Sequence, residues 1–130
     1  MGNHEERDLL SQLKQVITDL YWVRETDEPW EAMALDGEPN HEVIAQLSGK
    51  SPVKTQDFAK FFVTAITEED WHNEQEKADV KRYRKLMKLL QENLERITIY
   101  EAGNVEIDIF VTGRTKAGEW IVLQTMAVET

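Results

Sequence analysis

The stretch that decides the fold is residues 94–128, LERITIYEAGNVEIDIFVTGRTKAGEWIVLQTMAV. Before Leu94 the apolar residues recur at helical spacing. After it they alternate with polar residues, which is the period of a strand with one buried face. Residues 102–104 and 115–118 are short, glycine-containing reversals that divide the stretch into three parts. Three strands joined by such turns predict an antiparallel meander.

The segment before the meander predicts the strongest helix of the chain. Asn73 is followed three residues later by Glu76, a spacing that resembles a capping box at a helix start. Apolar residues then recur at alternating spacings of three and four, which places them on one helical face. These residues are Val80, Tyr83, Met87, Leu90 and Leu94.

The first half of the chain predicts shorter elements. A helix, an acidic loop and a strand are expected, in that order, over residues 4–18, 21–29 and 30–36. A second helix starts after the N-cap Asn40 and stops at Gly49, and Thr55 opens a third. Helices first and strands last predict an α+β fold: a mainly antiparallel sheet of about four strands, covered by helices.

Length and composition limit the classes of protein to consider. The 130 residues correspond to a single domain, residues 1–130, and the absence of cysteine excludes disulfides and thiolate metal sites. No apolar run reaches the roughly 20 residues of a membrane span, and no signal-peptide pattern is present, so we expect a cytoplasmic protein. The net charge of −10 repels nucleic acid and membranes and favours a basic partner, although acidity also serves solubility alone.

Familiar catalytic signatures are missing from the sequence. It contains no phosphate-binding glycine loop, no dinucleotide-binding glycine pattern and no serine nucleophile motif. The three histidines, His4, His41 and His72, share no ligand spacing and predict surface residues. Glu106 and Asp108 lie on one face of a predicted strand, where they form either an acid–base pair of a metal-dependent hydrolase or the solvent face of that strand.

A basic run inside the long helix admits two interpretations. Its members are Lys81, Arg82, Arg84, Lys85 and Lys88. They form either a nucleic-acid contact or a solvated helix face whose cations, in later turns, complement the helix dipole. No aromatic platform or glycine-rich loop accompanies the run, which favours the second interpretation.

Two acidic segments, residues 25–28 and 68–70, are each followed closely by a tryptophan, Trp30 and Trp71. The last strand ends in Val128-Glu129-Thr130, which brings carboxylate and hydroxyl oxygens together. Such oxygens suit a hard cation such as magnesium. The alternative interpretation is that Trp71 packs in the core or staples the helix, and that the strand simply stops.

Taken together, these segments resemble the nuclease A inhibitor family, which is known from bacteria. The resemblance rests on the order and spacing of several motifs along nearly the whole chain. They are Leu13-Lys14-Gln15, the acidic segment at residues 25–29 with Trp30, Thr67-Glu68-Glu69-Asp70-Trp71, Val80-Lys81-Arg82-Tyr83, Val105-Glu106-Ile107-Asp108, Gly113 and Val128-Glu129-Thr130.

The resemblance implies an α/β/α sandwich that plugs the active site of a magnesium-dependent, sugar-non-specific ββα-metal endonuclease. It implies no enzymatic activity and no cofactor, and a monomer that forms a 1:1 complex with the nuclease without touching nucleic acid or membrane. The implied partner-binding residues are Glu25, Asp27, Glu28, Asp70, Trp71, Glu129 and Thr130. Of these, Glu25 and Thr130 face the magnesium of the nuclease. An acidic binding module of the same fold with another basic partner is the alternative.

Overall fold

The predicted meander forms the centre of the fold in a computed structural model, which describes residues 3–23 and 27–129. The helices in this part of the chain are α1 (Asn3–Ile17), α2 (His41–Ser48), α3 (Phe58–Phe62) and α4 (Glu74–Asn93). The strands are β1 (Tyr21–Val23), β2 (Asp27–Pro29), β3 (Glu31–Leu35), β4 (Val53–Gln56), β5 (Glu95–Ala102), β6 (Glu106–Arg114) and β7 (Trp120–Val128). The prediction of an α+β fold is confirmed.

The main sheet has five strands in the order β3-β7-β6-β5-β4, and every neighbouring pair is antiparallel. The prediction of about four strands missed β4, because Thr55 was expected to open a helix. Thr55 instead pairs with Tyr100 of β5 at the edge of the sheet. The third helix begins after Asp57, whose carboxylate accepts a hydrogen bond from the Lys60 N–H at 3.0 Å.

The prediction of a loop over residues 21–29 is also wrong at its two ends. β1 and β2 pair there as a short antiparallel hairpin, with Trp22 opposite Glu28. Trp22 is buried, whereas Asp27 is exposed. Two of the acids that suggested a loop, Asp27 and Glu28, therefore belong to β2 of the hairpin.

Helices cover both faces of the sheet. In β6, Ile107, Ile109 and Val111 pack into a large cluster with α1, α3 and α4. Phe110 points to the opposite face, where it packs with Ile44 of α2. This alternation explains the period of two in the sequence and produces the α/β/α layering.

An aromatic cluster fixes the hairpin to the helices. Trp22 stacks on Phe61 with ring centroids 4.5 Å apart and meets Trp30 edge-on at 5.8 Å. Trp30 Nε1 donates a hydrogen bond to Tyr83 Oη at 2.9 Å, and Tyr83 in turn donates to the Tyr21 carbonyl at 2.6 Å. The hairpin, the start of β3 and α4 are therefore held together by one buried hydrogen-bond chain.

The expected capping box is present at the start of α4, where Asn73 and Glu76 exchange side-chain and backbone hydrogen bonds. The dipole explanation for the basic run is wrong, since the last turn of α4 contains no basic residue. Arg82 donates to the carbonyl of Val16 in the last turn of α1 and to the carbonyls of Thr18 and Asp19 just after it, and so holds α4 to the end of α1.

Arg84 likewise binds the polypeptide backbone: its Nε donates to the Ile66 carbonyl at 2.8 Å. The lysines of the basic run, Lys81, Lys85 and Lys88, are exposed. The run therefore combines two arginines that bind main-chain carbonyls with a solvated lysine face. In the part of the chain that the structure describes, no helix combines the length and apolarity that crossing a bilayer requires.

Gly113 is required where α4 turns into β5. A Cβ at this position would lie 2.8 Å from Leu94 Cδ1 and 2.9 Å from Leu94 Cβ, and Leu94 is buried. We expect Gly113→Ala to lower the free energy of unfolding by about 1–3 kcal/mol, the usual effect of overpacking. Urea denaturation measures this loss. In the Leu94→Ala/Gly113→Ala double variant the two losses should be less than additive, and full additivity would contradict the proposed clash.

Thr125 attaches the hairpin to the sheet. Its buried Oγ1 donates a hydrogen bond to the Pro29 carbonyl at 2.8 Å. We expect Thr125→Val to cost about 1 kcal/mol and to speed amide hydrogen exchange in β1 and β2 roughly fivefold. Thr112→Val is the matched control, because buried Thr112 donates to Thr98 at 3.0 Å inside the meander. Equal exchange in the hairpin of both variants would show that Thr125 does not anchor it.

Candidate functional site

The strand registers bring the hairpin and the end of β7 together. Glu106 pairs with Val128, so β6 begins where β7 ends. β3 begins opposite Gln124 and runs away from that end, which places the preceding hairpin beside the last residues of β7. The Thr125–Pro29 hydrogen bond shows this contact directly.

The connector before α4 reaches the same end of the domain. α4 packs on the sheet and passes into β5 at Leu94, so the helix runs antiparallel to that strand and begins above its far end. A cavity of about 290 Å³ lies between the hairpin and the connector, with Tyr21 on one side and Trp71 on the other. We call the surface formed by Asp27, Glu28, Asp70, Trp71 and Glu129 the acidic end.

The carboxylates of the acidic end face solvent. Asp27, Asp70 and Glu129 are exposed, and Glu28 is half-buried. Among the described residues, none of the three exposed carboxylates takes part in an ion pair. Their negative potential is therefore not neutralised by neighbouring side chains within this part of the chain.

The last residues of β7 stay bound to the sheet at the acidic end. The Glu129 N–H donates a hydrogen bond to the Val105 carbonyl at 2.8 Å, and the Val105 side chain is 55 % exposed. The predicted site residues Glu25 and Thr130 lie outside the described residues. In the sequence, Glu25 lies two residues before Asp27 of β2, and Thr130 directly follows Glu129. Asp27 and Glu129 both belong to the acidic end.

A tight turn presents Trp71 to solvent. The Glu69 N–H donates to His72 Nδ1 at 3.0 Å, and the His72 N–H donates to the Glu69 carbonyl at 3.1 Å. The Trp71 ring meets the His72 ring edge-on at 4.4 Å and is 73 % exposed. The alternative that Trp71 is a core residue is therefore wrong, whereas Trp30 is buried in the aromatic cluster.

One carboxylate of the Glu106 and Asp108 pair on β6 forms an ion pair that the sequence did not predict. Lys50 Nζ lies 3.1 Å from Asp108 Oδ1 in a half-buried ion pair, while Glu106 is exposed. Across residues 3–23 and 27–129, no three histidine, aspartate or glutamate side chains converge as metal ligands. The Lys50 contact gives Asp108 a structural role between α2 and the sheet.

The sequence did not identify Tyr21, Glu76 or Asp79 as residues of the site beside Trp71. Tyr21 is 44 % exposed on the hairpin, in the segment that the sequence predicted to be a loop. Glu76 and Asp79 are half-buried and line the cavity. Their spacing of three residues could have indicated a shared acidic surface on α4, because residues i and i+3 lie on the same face of a helix.

Comparison with known proteins identifies the family of the chain. A search against curated proteins finds no significant match. The sequence profile described as "Nuclease A inhibitor-like protein" matches residues 7–130, a span that contains every residue of the acidic end. A match over essentially the whole chain supports a nuclease-inhibitor role, and the chain belongs to the nuclease A inhibitor-like family.

Proposed function

We propose that this chain inhibits a magnesium-dependent, sugar-non-specific endonuclease by inserting the acidic end into the nuclease active site. The observation that supports this most strongly is the exposure of Trp71 on the same surface as Asp27, Asp70 and Glu129, which form no ion pair among the described residues. The family match supports a nuclease as the partner. The chain itself acts by binding and catalyses no reaction in this proposal.

Electrostatics favours this orientation of the complex. The active-site cleft of a nuclease is basic, because it must bind phosphates. A chain with a net charge of −10 is steered towards such a cleft, and the acidic end supplies the local complement. Like the nucleic acid that it replaces, the inhibitor presents oxygens to cations.

The residues next to the described strands supply the contact to the metal in this proposal. Glu25 lies between β1 and β2, and Thr130 follows Glu129 at the end of β7. Carboxylate and hydroxyl oxygens are the ligands that magnesium prefers. An oxygen from either residue would occupy the position of a substrate phosphate oxygen on the metal of the nuclease.

Trp71 supplies the apolar contact. A tryptophan that is 73 % exposed and has its ring beside His72 loses a large apolar area from water when a partner covers it. Interface residues of this kind provide much of the binding free energy of a complex. In this proposal Trp71 enters the cleft where a nucleic-acid base would otherwise stack.

Removing either proposed metal-facing residue should abolish tight inhibition. We expect Glu25→Gln and deletion of Thr130 each to weaken inhibition at least about 30-fold, a loss of about 2 kcal/mol typical of a central contact. A plasmid-cleavage assay with magnesium and a purified sugar-non-specific nuclease measures this, with the inhibitor titrated in. Glu119→Gln is the charge-matched control, since exposed Glu119 lies in the β6–β7 turn at the opposite end of the sheet.

Stoichiometric inhibition by the wild type and by the Glu119→Gln variant, together with the expected loss in Glu25→Gln and in the chain lacking Thr130, would support the acidic end as the inhibitory surface. If the wild type left cleavage unchanged at excess concentration, the chain would instead bind another basic partner. If all three variants inhibited equally well, the inhibitory surface would lie elsewhere on the fold.

Trp71→Ala separates binding from folding. Because Trp71 is mostly exposed, we expect a change within about 0.5 kcal/mol in the free energy of unfolding. Inhibition should weaken by about 2 kcal/mol or more. Leu47→Ala is the control, since Leu47 is 53 % exposed on α2, on the other face of the sheet. Denaturation and titration of both variants test this, and equal inhibition by the two would remove Trp71 from the interface.

A further inference from the structure

The cavity beside Trp71 has the size of a site for one side chain. Its volume of about 290 Å³ is at the lower limit of pockets that bind small ligands, about 300–1,000 Å³. Exposed Tyr21 and Trp71 stand at its edges, and buried Tyr83 forms part of its wall. The cavity therefore offers aromatic rings on several sides and opens onto the acidic end.

Two carboxylates complete the cavity. Glu76 and Asp79 line it from successive turns of α4, and both are half-buried. Glu76 Oε1 accepts a hydrogen bond from the Asn73 N–H, and Asp79 Oδ1 accepts one from Gln75 Nε2, each at 3.0 Å. Each carboxylate therefore keeps a second oxygen for another donor.

No cation of the described chain neutralises these two charges. Neither carboxylate is in an ion pair there, and the described lining contains no lysine or arginine. His72 also lines the cavity, and its Nδ1 accepts a hydrogen bond from the Glu69 N–H. The cavity thus has a net negative charge between aromatic walls.

Aromatic faces combined with carboxylates are suited to bind a cation. A guanidinium or ammonium group gains from the negative face of a tryptophan or tyrosine ring. Arginine fits this cavity better than lysine, because its planar group stacks on rings and donates to two carboxylates at once. A neutral side chain of the same shape would leave both carboxylates unpaired.

We infer that the cavity between Tyr21 and Trp71 receives an arginine side chain of the partner nuclease. This inference depends on the proposed function for the identity of the partner, and it adds Glu76, Asp79 and Tyr21 to the interface. A cleft that binds phosphates contains exposed arginines, which supplies the occupant. The cation seated behind Trp71 also fixes the angle at which that ring enters the cleft.

The free chain tests the chemistry of the cavity without any nuclease. We propose a titration with N-acetyl-arginine amide, with N-acetyl-citrulline amide as the neutral probe of nearly the same shape, followed through the NMR shift of the Trp71 indole N–H. The arginine probe should shift this signal and the citrulline probe should not. In the E76Q/D79N variant the apparent affinity for the arginine probe should fall about tenfold.

The E76Q/D79N variant is chosen because both substitutions preserve hydrogen bonds of the native fold. Glutamine at position 76 still forms the capping box, and asparagine at position 79 keeps an oxygen for Gln75. E74Q is the matched control, because exposed Glu74 lies in the same first turn of α4 but does not line the cavity. Equal binding of the two probes, or unchanged binding to E76Q/D79N, would overturn the inference.

A nuclease titration separates this inference from the proposed function. If wild type and E74Q inhibit and E76Q/D79N inhibits about tenfold more weakly, the proposed function and the inference about the cavity are both supported. If all three chains inhibit equally, inhibition stands but no nuclease cation occupies the cavity. If the wild type fails to inhibit, the proposed function is wrong, and with it the arginine of a nuclease as occupant; the probe titration then decides only whether the cavity binds a cation.

Discussion

The acidic end depends on the hydrogen-bond chain from Trp30 through Tyr83 to the Tyr21 carbonyl. This chain joins the hairpin, the start of β3 and the middle of α4, and Trp30 and Tyr83 are buried with it. Because the Tyr83 hydroxyl both accepts and donates, loss of Tyr83 would remove both hydrogen bonds of the chain at once. The hairpin has only three residues in each strand, too few to be stable alone. Its position relative to Trp71 is therefore set by these tertiary contacts.

Two arginines of α4 also hold neighbouring segments in place around the acidic end. Arg82 binds the carbonyls at the end of α1, and Arg84 binds the Ile66 carbonyl in the segment that leads to Trp71. A guanidinium that donates to main-chain carbonyls has fewer donors left for phosphate. A basic run that looks like a nucleic-acid contact in the sequence thus serves in part to position the elements around the acidic end.

The sequence predicted the parts of the fold that depend on local pattern. The capping box at Asn73, the helix behind it and the alternation in residues 105–111 each follow from neighbours within a few positions. It failed for β4 and for the hairpin, because pairing with distant residues decides those segments. It also gave no means of separating Trp30 from Trp71, since both follow acidic residues and only tertiary packing buries one of them. Of the candidate site, the sequence and its family resemblance supplied the acids and Trp71, whereas Tyr21 and the cavity required the structure.

The gathering of charge at one end has opposite consequences for the free chain and for a complex. Exposed carboxylates that form no ion pair within residues 3–23 and 27–129 repel one another, which lowers the stability of the free chain. A basic cleft would remove that repulsion on binding, so part of the affinity would come from relief of strain already present in the free inhibitor. Salt screens both effects and therefore stabilises the free chain while it weakens the complex. The well-packed cluster of α1, α3, α4 and the sheet supplies stability that offsets this repulsion.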